Sequence, residues 1–398
     1  MIVPVYYEKF HCLADHCRRS CCIGWELDLD DETWERYRRL PGEFGDRLRA
    51  AEEDIEEDGE IFHTFPLVNG RCPMLNERGL CDICLHEGEA ALSVVCTEYP
   101  RYSVFFNGHL ERTLSLSCEE VVRLHFENAD AAAFIELPDE KGAAAYRTAP
   151  GEETADNGLG EALTAQVRDR VIAHLTDRDR PFARRLTEAV LYTAAVQKRL
   201  NEGGEPALAA MVPVLPVPAA GETCRISDGR VFDSREADDN EDDVIAGGLE
   251  ERLMILDETE ALDEDWENYL TLMQSGTDAA GLRYLRSAYR DGQTGLGGED
   301  LEKLAVYLVY RYFPRASADG NLYTKMTFAV FFLEVLGDMA AAFRAKEGRL
   351  PDRADSLEMV RVLSRQIEHS EDNIAVILEE LLFDESDGPG DILVRWNI

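Results

Sequence analysis

The sequence predicts a mainly α protein: a Cys-rich N-terminal domain with a small β-hairpin and a metal or cluster site, followed by an all-helical C-terminal domain. Three observations predict it. Nine of the ten cysteines fall between Cys12 and Cys118. Beyond residue 158, apolar residues recur at helical spacing. No strand–helix–strand alternation is found, which excludes a doubly wound parallel sheet. At 398 residues, the chain can bury a sizeable core without disulfide staples.

Residues 1–127 form the Cys-rich block. Residues 28–40 read as a helix with Asp30 or Asp31 near its N-cap. Glu43 to Glu60 reads as helix and then loop. Tyr102–Phe106, Asn107-Gly108 and His109–Leu116 make a hairpin signal, because Asn-Gly suits a turn whose two central residues both need positive φ. Asn69-Gly70 is a second turn signal. Residues 128–157 read as a loop.

In the segment 158–201, Leu163, Val167, Val171 and Leu175 share a helical face, as do Phe182, Leu186 and Val190. Pro181 divides them into two helices. Residues 202–247 read as an acidic, Pro-containing linker. Residues 248–398 read as a helical domain, with apolar faces at Leu301, Leu304, Leu308 and Tyr312 and at Leu357, Val360, Leu363 and Ile367. Met326 to Met339 is apolar on most sides and reads as a central buried helix.

Asp plus Glu is 79 against 41 Lys plus Arg, a formal charge of −38. Such a chain repels phosphate backbones and anionic lipid, so the reading is no nucleic acid and no membrane. The apolar stretch Thr327–Phe343 is broken by Glu334, Gly337 and Asp338, and reads as too short to span. The opening residues MIVPVYYEKF lack a basic region followed by an apolar run, so the expected location is cytoplasmic.

In a reducing compartment, clustered cysteines argue for metal rather than disulfides. Thiolates suit zinc or iron–sulfur clusters. The spacing is Cys12-x4-Cys17-x3-Cys21-Cys22, then Cys72-x8-Cys81-x2-Cys84, then Cys96 and Cys118. It is not a paired CxxC pattern, and Gly24 breaks a CxxxCxxC run, the radical S-adenosylmethionine signature. Four thiolates complete one site, so some of these cysteines are structural or form a second one. The glycine clusters at Gly158-Gly160 and Gly295-Gly298 do not fit GxGxxG, and Walker A, Ser-elbow and HExxH patterns are missing. The residues alone lead to a metal- or cluster-binding domain fused to a helical one.

One segment pattern is more specific. Tyr7-x2-Phe10-x-Cys12-x4-Cys17-x3-Cys21-Cys22-x-Gly24-Trp25 resembles the start of the flagellin lysine-N-methylase family. Gly70-Arg-Cys72-Pro-Met-Leu75 with Gly79-Leu-Cys81, Cys96-Thr-Glu-Tyr99-Pro100-Arg101, and Glu111-Arg-Thr-Leu114-Ser-Leu-Ser117-Cys118 are similar to its later Cys segments. Ser364-Arg365-Gln-Ile367-Glu368-His369 is similar to a late family segment. Cys84 is outside the family pattern, and Glu119 stands where the family has Pro. The core of the pattern is also similar to small zinc- or iron-chelating Cys domains.

The resemblance implies methyl transfer from S-adenosylmethionine to lysine ε-amino groups of flagellin, before export. It implies an iron–sulfur cluster, of 4Fe-4S type, or alternatively zinc, on cysteines drawn from Cys12, Cys17, Cys21, Cys22, Cys72, Cys81, Cys96 and Cys118. Lysine, with a pKa of about 10.4, must lose a proton before its lone pair can attack. Candidate catalytic residues are Glu368, His369, Tyr99 and Arg101. Packing around the cluster is the other reading for Tyr99, Arg101 and Trp25, and an exposed salt bridge to Arg365 is the other reading for Glu368 and His369. The competing classes are a non-enzymatic chelating protein with a helical interaction module, and an electron-transfer protein.

Overall fold

The computed structural model describes residues 1–18, 20, 21, 23, 27–57, 60–138, 160–209, 225–227, 230–232, 241–276, 281, 288, 293–383, 392, 395 and 396. Expectations for Cys22, Gly24, Trp25 and Cys224, and for residues 139–157, lie outside these. The chain is mainly helical, with small sheets in its N-terminal part, as the sequence predicts.

The Asn-Gly hairpin forms as expected: β5 (Arg101–Phe106) and β6 (His109–Leu114) are joined at Asn107 and Gly108, with φ of 48° and 80°. It is not isolated. β1 (Ile2–Pro4) pairs parallel with β6, and β7 (Phe134–Glu136) pairs antiparallel with β1, giving a four-stranded sheet in the order β5-β6-β1-β7. Strands of three residues carry too little alternation to be read from sequence.

A second sheet corrects the loop expected before Glu60. Helix α1 (Asp31–Arg39) is capped by Asp30, whose side chain accepts from Thr33 N, and α2 (Gly42–Ala51) follows. Then β3 (Glu53–Glu57) turns into β4 (Glu60–Phe65), and β2 (Leu27–Leu29) completes an antiparallel sheet in the order β2-β4-β3. The charges of β3 hid it, because one strand at a solvent edge need not alternate in hydropathy. Leu29, Tyr37, Leu48, Phe65, Cys72, Met74 and Ile83 make a small core of their own under this sheet. Two short helices, α3 (Asp82–Glu87) and α4 (Val94–Glu98), carry the chain from there to the first sheet.

Helix α5 (Glu119–Glu127) leads out of the first sheet. As predicted, α6 (Glu161–Leu175) and α7 (Phe182–Ala209) flank Pro181. The expected linker is partly structured. α7 runs through 202–209 across a bend at Gly204 (φ 66°), with Pro206 beyond it. A hairpin of β8 (Arg225–Ser227) and β9 (Arg230–Phe232) follows, and α8 (Glu241–Asp257) begins inside the linker. Ile245 and Leu249 of α8 pack with Ala341, a tertiary contact that local pattern does not announce.

The remaining helices are α9 (Glu264–Gly276), α10 (Gly298–Tyr312), the single turn α11 (Ala316–Asp319), α12 (Leu322–Glu347), α13 (Arg353–Glu368) and α14 (Glu371–Phe383). α12 packs against α7, α9, α10, α13 and α14. With 26 residues and a mean hydropathy of 1.7 over its most apolar window, it is long and apolar enough to cross a membrane, contrary to the expectation from its interrupting charges. It is instead the core helix, since 89% of that window is buried in protein. Its two interior carboxylates are paired: Glu334 and Asp338 accept from Arg252, and Glu334 also from Arg395.

One core spans the chain. Met1, Val3, Tyr6, Leu110, Leu116 and Val121 belong to the same buried cluster as Leu304, Val330, Phe331 and Leu363. The first sheet and α5 therefore pack directly on the helices, which brings the Cys segments against α10 and α13.

Candidate functional site

The seam between the first sheet and these helices holds a buried polar network. Glu368 ends α13, and its side chain is fully buried. Its carboxylate accepts from Tyr307 Oη at 2.9 Å to each oxygen and from Ser115 Oγ at 2.5 Å, and Arg311 Nη1 lies 3.3 Å away. A buried carboxylate is stable only when paired and hydrogen-bonded. Tyr307 and Arg311 supply this from one face of α10, one turn apart. Arg311 also lies over the Tyr102 ring, 4.2 Å from its centroid.

From Glu368 a chain of hydroxyls leads to His369. Ser115 Oγ is 2.6 Å from Ser117 Oγ, which is 2.8 Å from His369 Nε2 and 3.0 Å from Tyr99 Oη. The Tyr99 ring meets His369 edge-on at 5.5 Å. The turn that follows β6, closed by Cys118 N donating to the Ser115 carbonyl and Ser117 N donating to Ser115 Oγ, makes this possible. Leu116 points into the apolar core and the two serines point together into the network.

Electrostatics set the protonation states. Burial, reinforced by Arg365, Arg311 and Arg361, lowers the pKa of His369 to about 3, so its imidazole is neutral at pH 7. Burial, with Cys118 and Cys21 nearby, pushes the Tyr99 hydroxyl well above its usual value. Arg365 does not form the exposed bridge to Glu368 or His369 that the helical spacing suggested. It pairs with Asp263 at 3.2 Å and donates to the Ile23 carbonyl, tying α13 to the Cys-bearing loop.

Of the four candidate catalytic residues, Glu368, His369 and Tyr99 thus meet in one network. Arg101 does not join them. Its guanidinium lies over Tyr7 and Phe10, 5.9 and 5.5 Å from their ring centroids. Ser115, Ser117, Tyr307, Arg311 and Asp263 were not singled out from sequence. An arginine inside the apolar pattern of α10 was the one available signal.

The described thiols lie in one region of the chain's N-terminal part, with Cys12 close enough to act on both Cys118 and Cys84. Burial, opposed by backbone bonds at the start of α5, pushes the Cys118 thiol up to about 11, and Cys17 and Cys12 lie close enough to add to this. Cys17 Sγ is 3.7 Å from Glu119 Oε2, whose carboxylate also binds Arg18. Cys84, outside the family pattern, is raised by burial, Glu89 and Cys12. Three more lie at the small core: Cys72 is buried there, Cys81 and Cys96 pack against it, and both of the latter act on the Tyr37 hydroxyl. Soft thiolates are the right chemistry for zinc or iron–sulfur. Among the described residues, however, no three Cys, His, Asp or Glu side chains are gathered closely enough to hold a metal ion. The described donors therefore do not form a closed site, and no chemical step below passes through one.

The fold and seam define a class: a helical protein whose late helix is bonded into a Cys-bearing β layer. Residues 168–394 match the family described as the FliB lysine N-methylase C-terminal domain, and the chain belongs to that family. It is similar to the Lysine-N-methylases of Salmonella typhimurium (strain LT2) and Salmonella choleraesuis (strain SC-B67). With each it is 30% identical over 138 residues, which is 33% of this chain and 34% of the relative. It is also 30% identical over 138 residues to the Flagellar biosynthetic protein FliU of Salmonella muenchen, covering 33% of this chain and 80% of that one. The match thus spans about a third of the length of the two curated methylases. No solved structure matches the chain.

Proposed function

We propose that this chain is a protein-lysine N-methyltransferase, with S-adenosylmethionine as methyl donor and flagellin as substrate in the cytoplasm. The observation that carries the reading is the hydrogen-bonded path Glu368–Ser115–Ser117–His369, joined to Tyr99. It links the late family segment to two of the Cys segments.

The chemistry asks for a lysine without its extra proton. Its nitrogen lone pair then forms the bond to the methyl carbon as the sulfur–carbon bond breaks, the electron pair going to sulfur to leave a neutral thioether. The field that keeps His369 neutral acts equally on an ammonium group placed beside it. Desolvation and the charges of Arg365, Arg311 and Arg361 favour the free amine. The proton released needs an acceptor, and the hydroxyls of Ser117 and Ser115 lead from His369 to the Glu368 carboxylate. Tyr99, held protonated, offers Ser117 a hydrogen bond and an aromatic wall. The proposed protein also carries an iron–sulfur cluster, or zinc, on cysteines of the N-terminal part.

Anaerobic purification tests this, followed by iron, sulfide and zinc assays. The metal-replete protein is then incubated with flagellin and S-adenosylmethionine labelled in the methyl group. Label in methyllysine after hydrolysis supports the reading. Metal without transfer moves the chain to the chelating class.

A further inference from the structure

The three-stranded sheet presents an edge that the network does not use. In the order β2-β4-β3, strand β3 (Glu53–Glu57) pairs, among the described residues, with β4 on one side only. Its open side carries unpaired backbone donors and acceptors, which can receive another extended segment. The base of the hairpin is anchored. Asp54 pairs with His63 at 2.7 Å, His63 stacks on Trp34 at 3.9 Å, and Arg38 covers Trp34 at 4.5 Å.

Above that base the hairpin exposes apolar side chains on both faces, interleaved with carboxylates. Ile55 and Phe62 sit opposite each other and are 40% and 44% exposed, while Ile61, opposite Glu56, is 61% exposed. A merely blunted edge is charged and short of apolar surface. Here the edge strand carries the exposed Glu53 and Glu56 together with the exposed Ile55, and β4 beside it exposes Ile61 and Phe62.

From this juxtaposition we infer that β3 is a docking edge for an extended, lysine-bearing segment of the protein substrate, which adds as a further strand. The inference rests on the lysine-transferase reading and deepens it by naming how the substrate is held. Charge fixes the occupant. Successive side chains of β3 face opposite ways, which puts Glu56 on one face and Glu53 with Ile55 on the other. A strand added to β3 lies about 4.8 Å away, inside the screening length of about 8 Å at physiological salt, so lysines on its Glu56 face meet that carboxylate with little screening by salt. Its apolar residues, on the other face, pack against Ile55, with Phe62 of β4 beyond it on the same face. The chain just before β2, at the opposite edge of the same sheet, reaches the seam. Ile23, just before β2, bridges to Arg71, and its carbonyl accepts from Arg365 of the network's own helix.

The test measures binding of a fluorescein-labelled peptide of alternating Lys and Val, about 10 residues long, to the whole protein at physiological salt. A peptide of alternating Lys and Pro has the same charge but lacks half the backbone donors that a strand needs. The Lys–Val peptide should bind about tenfold tighter or better. The double substitution Glu53→Lys/Glu56→Lys should remove that advantage. The equal charge change Glu379→Lys/Glu380→Lys, on exposed positions of α14, should leave it. Ile55→Thr should weaken binding with no change of charge. Equal binding of the two peptides, or equal loss in both charge reversals, would overturn the inference and leave only diffuse attraction to an acidic protein. Methyl transfer is read separately. Because it removes docking and not chemistry, Glu53→Lys/Glu56→Lys should raise KM for flagellin and leave transfer to N-acetyl-lysine amide unchanged. Peptide docking without transfer to any lysine would sink the enzymatic reading alone.

Discussion

Arg311 and Glu368 form a buried ion pair whose two members come from different helices. Removing one partner leaves an unpaired charge, so Arg311→Met should cost about 3–5 kcal/mol in urea unfolding. Arg311→Met/Glu368→Gln should cost less than the sum of its single changes, because the second removes the stranded charge. His125 gives a separate pH signature. It is buried, with Nδ1 2.9 Å from Tyr6 Oη, and burial aided by Lys303 lowers its pKa to about 3. The unfolded value is about 6.5, so the unfolded chain takes up the proton first. Stability from this group is fully present above pH 6.5 and falls as pH drops toward 3, by about 1.4 kcal/mol per pH unit. His125→Asn should flatten that part of the acid limb, read as urea midpoints at pH 7 and 4.5. An unchanged limb would mean His125 titrates normally. At this scale the site was legible in part. Glu368, His369 and Tyr99 stood out through family resemblance. Ser115 and Ser117 did not, because a hydroxyl acquires meaning only from a partner 253 or 252 residues away.

Helix starts and tight turns were the elements most legible from sequence, since their causes are local. Asp30 serves two helices: Oδ1 accepts from Thr33 N of α1 and Oδ2 from Val94 N of α4. Those bonds hold its carboxyl below the usual range despite the opposing effect of burial. Asp30→Ala should therefore cost about 1–2 kcal/mol and increase amide exchange in α4, which carries Cys96. A loss confined to α1 would refute the shared cap. Elements whose cause is distant were less legible. β1 and β7 exist through pairing across more than a hundred residues, and β3 is acidic because it faces solvent. α12 was read correctly as buried. Its length was underestimated because Glu334 and Asp338 looked like interruptions, whereas arginines from α8 and from residue 395 neutralise them.

The single large core makes the first sheet and the helices depend on each other. Met1, Val3, Leu110 and Leu116 share a cluster with residues of α10, α12 and α13. A fragment of residues 160–398 would expose that face to water. It should lack the cooperative thermal transition of the whole chain and bind hydrophobic dyes, whereas independent folding with a sharp transition would contradict the shared core. The same arrangement explains why the site could not be located from sequence. The late family segment and the Cys segments lie more than 240 residues apart, and only the packing of β6 and its exit against α10 and α13 brings them together.

In the proposed reaction, this junction prepares lysine for methylation. The most direct measurement is methyl transfer from labelled S-adenosylmethionine to flagellin by metal-replete wild type, Ser117→Ala and Glu368→Gln/His369→Asn, each first shown to be folded by its thermal transition. Ser117→Ala breaks the path without touching the charge pair. The account predicts that the double variant loses about 100-fold or more of kcat, and that Ser117→Ala lowers kcat at near-neutral pH with recovery as pH rises and free amine becomes abundant. Undiminished transfer by the folded double variant would contradict it.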